Sequence, residues 1–487
     1  MANIYQADST MIRNHAGAQT TVIIVGAGFA GITAAIECRL NGMRSVLIEK
    51  YKDSFEYGDL IDFYPNAGII IERWANGNVA KKLLDICVRN AQCWDYLTHK
   101  DELIYSDPYL ITAGDYTKQF AGHRGQMHKI FLDYAEEVGV EFKFGCEVID
   151  YLETENTAGV ELRSGEKIFG DCVLASDGPR SIARQKVLHL EDKKVNSGYA
   201  IYRAFFEIND EHRLDPRIKD FCRKDVDTLK IWLGPDAHTL AYSWNEGKDL
   251  VWVGTHKDMT DIKESWSFPG DKQEALQEFT GFPEQFKALV EHTPPKKLTD
   301  YKLVWRDALA TWLSKGKRIA LIGDAAHCHL PTSAQGGSQA MEDATTTAIC
   351  IRNAKGDIPL ALQVMERIRF NRSHVIHQSG IDMRDDWHKC DFEKYADHPD
   401  SIAQMRTPWI IMFDPQVNAE KHYTALAKDV LKGRKGTIQE LSIPADGNFD
   451  HLKPGNPWKP FDWTVKEHKC EWCTRTNAAG RSRQSSL

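Results

Sequence analysis

Gly26-Ala27-Gly28-Phe29-Ala30-Gly31 leaves this chain few ways to begin folding. The spacing GxGxxG is weak by itself, and its context decides its meaning. The apolar run Val22–Val25 leads in and reads as a buried strand. A helix from Gly28 to Leu40 follows, with Ile32, Ala35, Ile36 and Leu40 on one face. Asn41-Gly42 stops it, Gly42 suiting the left-handed position after a helix. A second strand, Ser45–Ile48, ends at Glu49, 21 residues beyond Gly28. In such a unit Gly26 makes the tight turn, Gly28 lets backbone approach a pyrophosphate, and Gly31 brings helix onto strand. A carboxylate at Glu49 accepts both hydroxyls of an unphosphorylated ribose, which points to FAD or NAD.

A second stretch lies two-thirds of the way along. Arg318–Ile322 reads as a buried strand, and Gly323-Asp324 ends it, where open α/β sheets place their ligands. Pro331 fixes one backbone angle, and Gly336-Gly337 then open a helix through Ala344. The free N–H groups and positive potential of that helix start would stabilise negative charge on a flat ring, such as the N1/O2 edge of a reduced flavin. Between the two stretches, the strand Cys172–Ser176 ends in Asp177-Gly178-Pro179-Arg180-Ser181, with Arg184 one turn on. Arg124 starts an amphipathic helix carrying Met127, Ile130, Phe131, Tyr134 and Val138. A cation there opposes the helix dipole, a conflict that a bound phosphate or diphosphate removes; a solvated surface arginine is the plainer reading.

The rest of the chain is read more coarsely. Residues 79–99 read as a helix. Val140–Phe144, Val148–Leu152 and a hairpin at Ser164-Gly165 read as strands. From 197 to 300 the pattern alternates and is aromatic, as in an antiparallel sheet with one face lining a pocket, and Asp271–Val290 reads as helix. These readings divide the chain into a discontinuous nucleotide-binding domain (20–196 and 300–380), an inserted sheet (197–299), a helical region (381–430) and an extended tail (431–487). The net charge of −8 gives no nucleic-acid surface and no polybasic membrane anchor. No apolar run reaches the length of a membrane-spanning helix, and eleven scattered cysteines fit reduced thiols in a cytoplasmic protein. Cys470 and Cys473, with His468 nearby, have no second pair at zinc-ligand spacing, so no metal is expected.

The three nucleotide-site elements, in this order, resemble the single-component aromatic flavoprotein monooxygenases, the group that includes para-hydroxybenzoate and salicylate hydroxylases. The GxGxxG–Glu49 unit, the Asp177-Gly178 loop and the Gly323-Asp324 loop match its three fingerprints. Pro331, Gly336-Gly337 and Asp343 match its flavin-ring loop, and Trp305-Arg306-Asp307 with Asp324–His327 is most similar to its fungal branch. The resemblance covers about residues 20–380. It implies an α/β, GxGxxG-type FAD-binding fold with an inserted antiparallel substrate sheet and C-terminal helices. It also implies a monomer or homodimer that binds FAD without covalent attachment. Gly26, Gly28, Gly31 and Glu49 would hold the ADP half, Arg124 the ribose or diphosphate, and Asp324 the ribityl chain. Pro331, Gly336 and Gly337 would face the flavin ring, and the Asp177-Gly178 loop would serve FAD and the reductant.

The implied activity uses NADPH or NADH and O2 to hydroxylate or epoxidise an electron-rich aromatic small molecule, through a flavin C4a-hydroperoxide, with a place in fungal secondary metabolism. Arg203, on an aromatic strand, would meet the anion of an ionised substrate or its developing charge. Tyr242 would relay a proton, and Asp62 or Asp59 would orient an N–H donor. An FAD-dependent oxidase or reductase on the same fold is the nearer alternative. A non-enzymatic FAD-binding scaffold is the more distant one, since a scaffold has no need of an intact flavin-ring loop.

Overall fold

The computed structural model describes residues 20–52, 58–109, 119–191, 194–258, 268–306, 309–406 and 408–434. The CxxC and the tail beyond 434 therefore lie outside the described residues.

Hydrophobic runs that are apolar on both faces build the first layer. A five-stranded parallel sheet runs Ile319–Leu321, Cys172–Ala175, Thr21–Val25, Arg44–Glu49, Glu141–Phe144 in spatial order. Its central residues Val22, Ile23, Ile24, Val173 and Leu174 are fully buried, as strands covered on both faces must be. The helix Phe29–Leu40 covers one face and packs closely on the helix Gly336–Ala354. The glycine-bearing turns lie at the carboxyl ends of the sheet's strands, so Gly26, Ser176 and Gly323 gather at one edge.

The second layer is a seven-stranded sheet in the order Leu298–Arg306, Lys194–Glu207, Asp249–Lys257, Ala237–Trp244, Thr228–Gly234, Cys93–Thr98, Leu103–Pro108. All its pairings are antiparallel except that of Thr228–Gly234 with Cys93–Thr98. This corrects two expectations. The helix expected over 79–99 stops at Leu84, and Cys93–Thr98 is a strand. Trp94 and Tyr96 alternate with Cys93 and Asp95, a period of two that suits a pleated surface. The substrate sheet is therefore not confined to 197–299, because it takes two strands from before that range and completes itself with Leu298–Arg306. The helix expected over 271–290 is two helices, Lys272–Glu278 and Glu284–His292, broken at Gly281-Phe282-Pro283. The expected boundary at 380 falls inside one continuous helix, Ile358–Lys389.

Behind the first layer lies a fully buried charge cluster. Glu342 is bound by Arg369 and by both arms of Arg372, and Asp343 accepts from Arg369 Nε at 2.8 Å. Arg372 also donates to the carbonyls of Trp409 (2.9 Å) and Ile410 (2.6 Å). Buried charges are tolerated only when paired and hydrogen-bonded in this way, and the pairing fastens the C-terminal segment to the helix Gly336–Ala354.

Candidate active site

The three glycines of the motif stand in three different steric settings. Gly26 has φ +98°, and a side chain there would meet Ser176 O at 2.5 Å. A Cβ on Gly31 would sit 1.9 Å from Gly26 O, so helix and loop touch through bare backbone. A Cβ on Gly28 would meet nothing within 4 Å, which leaves a cradle in front of the helix start. Glu49 stands beside that cradle, accepting the N–H of Ala27 at 2.8 Å and of Tyr51 at 3.0 Å. His128 donates from Nε2 to Ala27 O at 2.6 Å and holds the loop from the other side. A cradle free of side chains, a helix start and a carboxylate at the end of the next strand fit the ADP half of FAD.

The second loop is held as tightly. Asp343 Oδ2 accepts Gly323 N–H at 3.0 Å and the His327 ring at 2.5 Å. Burial raises the Asp343 carboxyl, but His327 and Arg369 outweigh it and bring it down to about 2. Arg184 crosses between loops, donating to Ala325 O at 2.8 Å and Asp324 O at 3.2 Å. Asp177 is held by one of its two oxygens. Its Oδ2 accepts from Tyr151 OH and Ile182 N–H, so the carboxylate shapes its own loop. Gly178, not Asp177, lines the cavity.

One cavity of about 550 Å³ joins these parts to the substrate sheet. Gly28, Gly178, Asp324, Pro331, Gly336 and Gly337 line one side, with Arg124 beside them. Arg203, Tyr242 and Asp62 line the other, so the structure brings the predicted residues of both groups to one space. Gly31 and Glu49 support the loop from outside that lining. Burial lowers the Arg124 guanidinium below its usual value, against the pull of Asp59 and Asp324.

Arg203 does not wait for an anionic substrate. Its Nη1 lies 3.0 Å from Asp59 Oδ2, its Nε donates to Thr299 Oγ1 at 3.3 Å, and its guanidinium lies 5.6 Å from the Tyr301 ring centre. The anion that a buried arginine needs is supplied by the protein. Burial, reinforced by Asp62, raises the Tyr242 phenol well above its usual value, so it stays protonated. Asp62 accepts from Gln119 Nε2 at 2.7 Å.

Several lining residues carry no local signal in the sequence. His238 is a lone histidine in an apolar strand. Its Nδ1 lies 2.8 Å from His388 Nε2, and burial first, then His388 and Arg384, keeps it neutral. Trp94 and Tyr96 sit in the stretch expected to be helical, and Met383, Trp387 and Ala403 come from the C-terminal region. The alternation at 93–98 was the one signal that could have found any of them. Among the described residues no cluster of His, Cys, Asp or Glu could hold a metal, and no helix is long and apolar enough to cross a membrane.

Comparison with known proteins agrees with this geometry. A family described as FAD binding domain matches residues 123–353, and a second of the same description matches 21–55. The chain is 31% identical over 439 residues to "FAD-dependent monooxygenase nanF" of Aspergillus nanangensis, covering 88% of this chain and 94% of that protein. The crystal structure of CtdE in complex with FAD and a substrate superposes with a TM-score of 0.79 at 30% identity, over 85% of this chain and all of that one. A salicylate hydroxylase substrate complex shares the fold, with a TM-score of 0.67 at 23% identity, over 82% of this chain and 97% of that one. The chain belongs to the FAD-dependent monooxygenases of the aromatic-hydroxylase fold, among relatives from fungi.

Proposed function

We propose that this enzyme uses NADPH or NADH and O2 to place one oxygen atom on an electron-rich ring of a polycyclic or substituted aromatic, by hydroxylation or epoxidation. The balance for hydroxylation is substrate C–H, O2, NAD(P)H and a proton in, and C–OH, water and NAD(P)+ out. Bound FAD supplies the redox chemistry and the activation of oxygen.

The observation that supports this reading is the single cavity running from the flavin-ring loop to an aromatic wall. The chain's own residues have four tasks there. Gly28, Glu49 and Asp324 hold the cofactor. The helix start at Gly336-Gly337 offers N–H groups to negative charge on its ring. Arg203, fixed by Asp59 and Thr299, aims a preorganised positive charge into the cavity, where charge developing on the substrate is stabilised without reorganisation. Tyr242 donates a proton or hydrogen bond, and Asp62 accepts one from a substrate N–H. The aromatic and aliphatic lining keeps water from the site, which limits loss of oxygen as hydrogen peroxide.

Because Arg203 is engaged with Asp59, a neutral substrate suits the pocket better than an aromatic acid. All nine cysteines among the described residues are free thiols, which suits a cytoplasmic enzyme. The deciding experiment is a panel of neutral indoles, phenols and aromatic acids with the FAD-loaded enzyme under 18O2. Substrate-accelerated NAD(P)H oxidation and one 18O atom in the product support the reading. Oxidation with unlabelled product would replace it with an oxidase or reductase.

A further inference from the structure

One face of the helix Ile358–Lys389 measures out the cavity. Gly380 packs on the flavin-ring loop, where a Cβ would meet Ser333 Cβ at 2.8 Å, and its carbonyl accepts from Thr332 Oγ1 at 2.7 Å. Met383 and Trp387 follow on the same face, at three and seven residues on, and both line the cavity. Seven residues of helix span about 10 Å. The backbone at Trp387 therefore lies about 10 Å along the helix from the backbone at Gly380.

At that end the stretch 399–406 reaches the cavity through Ala403, and 408–411 follows it in the chain. Trp387 Nε1 donates to Ile402 O at 3.2 Å, and the next residue, Ala403, lines the cavity at a backbone kink (φ −102°, ψ 35°). Arg372 holds the second stretch through Trp409 O and Ile410 O. Trp94 and Tyr96 face it from the sheet, and the Tyr96 and Trp387 rings lie 6.1 Å apart. Met383, Trp387 and Ala403 are all less than a tenth exposed. The surround is aromatic and aliphatic, with a thioether that adapts its shape and one polar ring, the neutral His238, 5.3 Å from that of Trp387.

We infer that Ala403, with Met383 and Trp387, forms a distal subsite for an uncharged apolar group, a ring or short alkyl chain, carried by the substrate some 10 Å from the flavin-ring loop. Ala403 sets its depth, because a methyl group is all that stands there between the cavity and the kinked backbone. The inference rests on the proposed function only in taking this cavity as the place where an aromatic substrate binds.

The test uses the FAD-loaded, oxidised enzyme and 4-alkylphenols from methyl to hexyl, with Kd read from the change in flavin absorbance. Wild type should tighten by about fourfold per methylene over the first several carbons, the fold-change for burying one CH2. Ala403→Phe should lose that gain beyond the shortest members, with FAD content unchanged. Ala403→Gly should retain the wild-type slope, which guards against a folding defect as the cause. A flat wild-type profile, a wild-type slope in Ala403→Phe, or no binding by any phenol overturns the subsite. Chain-length-dependent binding without hydroxylated product would instead remove the oxygenation reading and leave the subsite standing.

Discussion

Asp59 Oδ2 and Arg203 Nη1 lie 3.0 Å apart across the wall of the cavity, and both side chains are mostly withdrawn from solvent. One comes from the segment before the strand Leu60–Phe63, the other from the strand Lys194–Glu207. The pair thus joins the segment leading into the two-stranded sheet of Leu60–Phe63 and Phe120–His123 to the seven-stranded sheet, and both residues line the cavity.

Arg203→Ala should leave FAD bound, because Arg203 supports none of the glycine loops. Substrate turnover should fall by roughly 100-fold or more, the scale for losing an electrostatic partner of the transition state. Oxygen should then leave mostly as hydrogen peroxide. The ratio of hydroxylated product to peroxide measures this, and an unchanged ratio and rate would remove Arg203 from the site. Asp59→Asn should shift the same ratio in the same direction, since the arginine loses the group that aims it.

Asp324→Ala should weaken FAD binding by about 1.5–3 kcal/mol, the range for a hydrogen bond to a charged group. The fold should persist, because the loop is held by Asp343 on Gly323 N–H and by Arg184 on the backbone, not by the Asp324 carboxylate alone. Flavin titration of the apoprotein, together with its melting temperature, separates the two effects. Unchanged FAD affinity would refute the ribityl assignment.

Two glycines of one motif should fail in different ways. Gly31→Ala forces a methyl to within 1.9 Å of a carbonyl oxygen and should lower thermal stability as well as flavin content. Gly28→Ala has room in the protein and should melt near wild type, yet bind FAD weakly because the methyl fills the cradle. Circular dichroism melts of the apoproteins, set beside their flavin content, test the contrast.

The His238–His388 contact predicts an acid limb of stability. Burial first, then Arg384, lowers the His388 imidazole to about 4 in the folded protein, below its unfolded value of about 6.5. The unfolded chain binds the proton more readily, so stability is fully present above about pH 6.5 and falls as pH drops toward 4. By linkage the loss approaches about 3 kcal/mol, at about 1.4 kcal/mol for each pH unit crossed between those two values. Urea unfolding between pH 7.5 and 4 should show the slope, and His388→Gln should reduce it by the His388 share, leaving that of His238. An equal slope in the variant would assign the acid sensitivity to other groups.

What the sequence determined by itself was local and periodic. Strand, glycine turn, helix and terminal acid form a contiguous unit. Their order fixed the nucleotide end of the fold, because Gly26, Gly28 and Gly31 answer to sterics within a few residues of themselves. Gly336-Gly337 and Asp324 were legible for the same reason, each standing at the end of a recognisable element. Tertiary structure decided the rest. Whether Arg203 met a substrate or a protein carboxylate depended on Asp59, 144 residues away in the chain. That Asp177 Oδ2 would accept from Tyr151 and Ile182 depended on a strand more than twenty residues earlier as well as on its own loop. Trp94 and Tyr96 became pocket walls only because a strand from before the inserted region pairs with Thr228–Gly234. Ala403 reached the cavity because Trp387 fastens the neighbouring Ile402 carbonyl onto a helix whose own sequence gives no sign of it. Backbone sterics act over neighbouring residues and leave a pattern in sequence, whereas charge pairing and cavity shape arise between distant segments and leave none.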